Sequence, residues 1–158
     1  MKNFKYLLTY SVSLFLVSCG VLPIKSEIKV NHFRFENFKQ DISYPSELIY
    51  LMCFRKRPTS WAEPKQYLSG EHKLWVEANI SHPASPTSDK EAFVFFKVKL
   101  DSKKSYMLNR KIEGRKISIW IQETESALKV SEVITTDLNI AVFGKRTFRQ
   151  KQCKNGSI

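Results

Sequence analysis

At 158 residues the chain is of single-domain size and long enough to bury a core. Its 42% hydrophobic and 13% aromatic residues exclude a disordered chain, and its 26% charged residues exclude a multi-span membrane protein. The formal charge is +11; setting aside residues 1–18, which hold Lys2, Lys5 and no acid, leaves 24 basic against 15 acidic residues, so the excess belongs to the folded part. A positive body is drawn to anionic surfaces through a force that salt screens. The plainer reading, lysines that keep a β-rich protein soluble and its edges unpaired, stays open beside it.

The first segment, residues 1–18, carries two lysines, then the mostly apolar run "YLLTYSVSLFLVS", then Cys19. This is the order of charged, apolar and small-residue regions in an export signal, and the run is too short and too rich in hydroxyls for a transmembrane span. Leu16-Val17-Ser18-Cys19 resembles the lipobox of bacterial lipoprotein precursors. The resemblance implies that the Cys19 thiol carries a diacylglycerol and that the signal is cut just before it, which makes Cys19 the first mature residue. An ordinary secretory signal cut nearby is the alternative. Two or three acyl chains hold a protein on a membrane where one holds it only reversibly. Gly20, rather than Asp, after the cysteine implies outer-membrane sorting in a two-membrane host and the outer cell surface in a one-membrane host. Residues 19–27 then form a lipidated N-terminus and short tether.

The body reads as short apolar runs separated by turns. "IKVNHFRFENF" (28–38) alternates through Ile28, Val30, Phe33 and Phe35, and "SELIYLMCF" (46–54) is a continuous apolar run suited to a central strand. Cys53 in that run and Cys153 near the C-terminus are the two cysteines left after Cys19. An even pair in an oxidising compartment predicts a Cys53–Cys153 disulfide closing a loop of about 100 residues, with two unrelated thiols as the alternative.

The polar stretches 55–71 and 81–91 contain Pro58, Pro64, Pro83 and Pro86, which forbid ladder pairing and predict exposed loops. Arg55, Lys56 and Arg57 lie close to Trp61, a composition that suits an anionic or sugar-like partner by charge and stacking. The alternative folds Trp61 back as a lid and leaves the cations solvated.

Between and after these loops, "HKLWVEANI" (72–80) alternates Leu74, Val76, Ala78 and Ile80 on one face, and "EAFVFFKVKL" (91–100) alternates Phe96, Val98 and Leu100. Residues 104–123 predict a hairpin turning at Glu113-Gly114, with Ile117, Ile119 and Ile121 on one face. A further pair of strands is expected at 127–134 and 138–143. The competing helix over 124–138 yields to the β-branching of Val133 and Ile134.

The pattern predicts an all-β fold: one antiparallel β-sandwich of about seven or eight strands over residues 28–144, after a cleaved N-terminal signal peptide. Residues 145–158 form a basic C-terminal tail held by Cys153. The rhythm of 68–123, "LSGEHKLWVEAN" through "KISIWIQE", resembles PEGA-like and transthyretin-like modules of envelope lipoproteins, which implies the same architecture and carries no catalytic residue.

His32, His72 and His82 share no ligand spacing, and no phosphate-binding glycine loop, G-x-S-x-G elbow or HExxH is present. No catalytic activity, metal or cofactor is expected. The expected role is a lipid-anchored envelope protein acting as a structural or protein-binding module, with an envelope protein as partner. The alternative is binding of a polyanion, either anionic lipid, lipopolysaccharide phosphate or acidic glycan rather than nucleic acid. The residues assigned to it are Arg55, Lys56, Arg57 and Trp61 with the tail residues Lys145, Arg146, Arg149 and Lys151.

Overall fold

The computed structural model describes residues 27–41, 45–59, 63–82, 88–141 and 144–158; Cys19 and Trp61 lie outside them. The described residues are mostly β. In chain order they form β1 (His32–Glu36), β2 (Phe38–Gln40), β3 (Ser46–Leu51), β4 (Cys53–Phe54), β5 (Arg57–Pro58) and β6 (Lys65–Leu68). There follow β7 (Gly70–Ser81), β8 (Lys90–Leu100), β9 (Ser105–Glu113), β10 (Lys116–Glu123), β11 (Ile134–Asp137), β12 (Asn139–Ile140) and the helix α1 (Arg146–Lys154).

Two five-stranded sheets result, ordered β11-β10-β9-β1-β6 and β12-β8-β7-β3-β2, with β4 and β5 as a separate two-stranded ribbon. The period-2 alternation explains which face of each long strand is buried. Leu74, Val76, Ala78 and Ile80 of β7 and Val94, Phe96, Val98 and Leu100 of β8 meet Phe33 and Phe35 of β1 and Ile117, Ile119 and Ile121 of β10 in one apolar cluster. Arg110 of β9 bridges the sheets, ion-paired to Glu47 of β3 and donating to Gln40 of β2 at 2.6 Å.

One pairing departs from an all-antiparallel arrangement: β1 and β9 run parallel, Phe35 opposite Tyr106. Parallel neighbours cannot be joined by a hairpin. Here the chain leaves the first sheet after β1, builds β2 and β3 of the second, returns to pair β6 with one edge of β1, builds β7 and β8 of the second, and comes back as β9 on the other edge of β1.

Other departures are local. The strand expected from Ile28 starts only at His32, because Asn31 turns the backbone at φ 56° and leaves Val30 exposed. The 46–54 run breaks between β3 and β4, where Met52 N–H donates to the Trp75 carbonyl at 2.9 Å. Its continuous apolarity arises because Met52 and Cys53 join Cys153, Trp75 and Phe93 in a second cluster outside the main core.

The stretch expected to be loop contains two strands. Pro58 sits in β5 opposite Cys53, tolerated because the ribbon is only two residues long, and Lys65–Leu68 pairs antiparallel with β1. Residues 127–133 form neither helix nor strand. Ala127 is left-handed at φ 57°, and the Ser131 hydroxyl accepts the Ile121 N–H at 2.8 Å where a ladder partner would otherwise stand. The basic tail is not extended: residues 146–154 are helical and bury Cys153 against the second sheet.

Candidate anion-binding groove

The groove begins at the β4–β5 ribbon. Phe54 pairs with Arg57, so Arg55 and Lys56 form a two-residue turn, both left-handed at φ 52° and 60°. Such turns favour Asn-Gly, and a left-handed backbone costs a side-chain-bearing residue roughly 1–2 kcal/mol. Two consecutive cations therefore hold a strained turn that presents them outward, the kind of outlier that accompanies functional surfaces. The turn is secured from below. Lys56 N–H donates to the Ile158 carbonyl at 3.3 Å, Thr59 N–H to the Met52 carbonyl at 2.8 Å, and the Sγ atoms of Cys53 and Cys153 lie at disulfide distance, 2.04 Å. The Arg55 guanidinium lies over the Phe54 ring, 5.2 Å from its centre.

Helix α1 forms the facing wall, and helical spacing divides its cations into two sets. Lys145 and Arg149 turn toward the second sheet. Arg149 Nη2 contacts the Glu77 carboxylate at 3.1 Å, donates to the Thr59 carbonyl at 2.7 Å and reaches the Tyr50 hydroxyl at 3.3 Å. Lys145 is ion-paired to Glu91 and lies over the Phe93 ring. Burial lowers the Lys145 ammonium's pKa, and the Glu77 carboxylate partly offsets that effect. Burial first and the Glu77 charge second push the Tyr50 phenol up. These two cations, assigned to anion binding from the sequence, are neutralised internally and leave the candidate set; Lys151 lines none of the cavities described below.

Arg146 and Lys154 face the ribbon. With Arg55, Lys56, Arg57 and Gln150 they line a cavity of about 680 Å³ in which, among the described residues, no carboxylate takes part. Arginine offers planar paired donors that match phosphate, sulfate and carboxylate oxygens, and lysine adds point charge. Lys56 and Lys154 continue into a second cavity of about 610 Å³ with Lys73, Lys97, Lys99 and Glu71. Lys73 and Lys97 are directly opposite each other in the β7–β8 register, an arrangement that like charges disfavour.

A third cavity, about 430 Å³, shares Arg55 and Lys56 but is otherwise walled mainly by Phe54, Tyr67, Leu68 and Ile158, with His72 at its edge. Burial pushes the Tyr67 phenol up to about 12 and the His72 imidazole down. His72 is fixed on both nitrogens, Nε2 against the Leu68 carbonyl at 2.8 Å and Nδ1 against the Ser157 hydroxyl at 3.1 Å.

The fold thus brings Arg55, Lys56, Arg57 and Arg146 together and adds Lys154, Lys73, Lys97 and Lys99, which sequence reasoning passed over. The alternation of "HKLW" and "FKVKL" already puts Lys73, Lys97 and Lys99 opposite the apolar set; the pairing of those strands beside the end of α1 was not legible. Among the described residues no group of three or more His, Cys, Asp and Glu is arranged to hold a metal ion, and no helix is long and apolar enough to cross a membrane. No protein-family model, curated protein or solved structure matches the chain.

Proposed function

We propose that this chain is a lipid-anchored envelope protein, held by Cys19 and sorted to the outer membrane in a two-membrane host, whose body is a single β-sandwich that binds a polyanion. One observation carries the binding assignment: five cations, Arg55, Lys56, Arg57, Arg146 and Lys154, converge on one cavity with no carboxylate among its described lining residues. The core shared by the two five-stranded sheets supports the sandwich reading, and the lipobox-like run supports the anchor. The activity is binding, with no catalytic step.

The test is polyphosphate binding by the full-length protein in neutral phosphatidylcholine vesicles at increasing salt. Affinity falls steeply and linearly on logarithmic axes, as counterion release requires. Arg57→Glu with Arg146→Glu flattens that slope. Absent or salt-insensitive binding removes the assignment. The anchor is tested separately by intact mass, which should equal residues 19–158 plus acyl groups.

A second reading, a protein-binding module with an envelope partner, draws on the exposed apolar side chains Leu128, Val133 and Ile140. Cross-linking in native membranes through those positions distinguishes it: a defined protein adduct supports the module, and none opposes it.

A further inference from the structure

Resting on the polyanion reading, we infer that the ligand is an anionic lipid, its phosphate held by Arg55, Lys56 and the neighbouring groove cations and an acyl chain lying in the cavity walled by Phe54, Tyr67, Leu68 and Ile158. A purely polar polyanion uses only the cationic groove and leaves the adjoining apolar one without a role. The two cavities share Arg55 and Lys56 in their walls, so one ligand that fills both carries charge at one end and hydrocarbon at the other. A cavity of 430 Å³ lies within the range of small-molecule sites, about 300–1,000 Å³. Leu68, 64% exposed at the end of β6, offers that wall to an incoming chain rather than to the core.

The path of the N-terminal segment points the same way. The Glu27 carbonyl accepts from Gln66 Nε2 at 2.9 Å and Lys29 N–H donates to Gln66 Oε1 at 2.8 Å, so the chain enters the body along β6, the strand that supplies Tyr67 and Leu68. With Cys19 acylated, the eight residues 19–26 reach at most about 29 Å, which keeps this cavity close to the membrane surface. The Asn31 carbonyl accepts both the N–H and the hydroxyl of Ser69, which ties the segment following exposed Val30 to the junction of β6 and β7.

The experiment uses the full-length protein in phosphatidylcholine vesicles doped with phosphatidic acid that bears a photoreactive group at its acyl terminus, and labelled residues are mapped by mass spectrometry. Labels are expected on Phe54, Tyr67, Leu68 and Ile158. They should fall about tenfold when phosphatidylcholine carries the same group, or when Arg55 and Lys56 are both changed to Glu, as loss of charge-assisted contacts requires. Leu68→Asp, which sets a carboxylate beside Arg55 and Lys56, should abolish the acyl label, and the uncharged Leu68→Gln should give an intermediate loss.

Equal labelling by the neutral lipid overturns the assignment, as does free glycerol phosphate competing as well as the intact lipid. Polyphosphate binding with no acyl label at the cavity refutes the lipid and spares the polyanion reading. No polyphosphate binding at all refutes both.

Discussion

The two sides of helix α1 carry the same kind of residue to different ends. Lys145 and Arg149 are matched to Glu91 and Glu77, carboxylates that are 6% and 5% exposed, and with Phe148 edge-on to Phe93 they fasten the helix to the second sheet. Arg146 and Lys154 stand over the β4–β5 turn with three further cations and, among the described residues lining that cavity, no acid, although Arg146 also borders the cavity that holds Glu77 and Glu91. A buried ion pair whose partner is removed leaves an uncompensated charge and costs stability, whereas a charge repelled by its neighbours adds none and is retained at a stability penalty. The inward side therefore holds the fold together, and the outward side is free to answer a ligand.

The largest effect tests what keeps the two walls of the groove together. Changing Cys53 and Cys153 to Ala opens a loop of 100 residues, worth about 4.7 kcal/mol in the chain-entropy account, and urea denaturation should show that loss. Polyphosphate affinity should fall with it, because the turn and α1 are no longer tied.

Next comes the inward side. Arg149→Met leaves Glu77 buried without its cation. A loss of roughly 3 kcal/mol is expected, the low end of the range for broken buried pairs because Arg149 is about one-fifth exposed. A midpoint within about 0.5 kcal/mol of the parent would dissolve the contrast between the two sides.

The outward side should behave inversely. Arg146→Glu or Lys154→Glu should weaken polyphosphate binding about tenfold each at low salt and leave the unfolding midpoint unchanged or slightly raised. Stability falling in step with affinity would show that these cations also hold the fold.

The smallest effect concerns His72 at the rim. Burial lowers its folded pKa below the value in the unfolded chain, so between those two values the unfolded state takes up the proton first. The stabilising contribution is complete above the unfolded value, about 6.5, and is lost as pH falls toward the folded one. A melting series through that window should therefore decline on acidification, and His72→Gln should flatten it. An identical decline in the variant would assign the effect to other groups.

Strand content was the most legible part of the body, because a period of two needs only local alternation. Leu74 to Ile80 and Ile117 to Ile121 show it cleanly, and Gly114 marks the turn at φ 61° where the hairpin needs it. Where alternation was interrupted the reading failed. Tyr67 packs inward on Phe33, 5.8 Å between ring centres, but lies among Lys65, Gln66 and Ser69, so β6 read as loop. Leu128, Val130 and Val133 carry β-branched or apolar character, yet they are exposed. Of the groove, the Arg55–Arg57 cluster was visible as composition, and Arg146 as one cation in a basic tail.

The amino-acid sequence by itself determined a β-rich body, a cationic balance and a pair of cysteines available to each other. Each of these is local or compositional: side-chain alternation, charge count, residue order. Only the tertiary structure decided which cations are spent and which are free. That depends on Glu77, Glu91 and Tyr50 reaching Arg149 of α1 and its N-cap Lys145 from strands far away in the chain, and on Phe54, Tyr67, Leu68 and Ile158 meeting beside Arg55 and Lys56. No periodicity encodes such meetings. They follow from sheet order and from the cysteine pair at disulfide distance, which sets the last fifteen residues against the front of the domain.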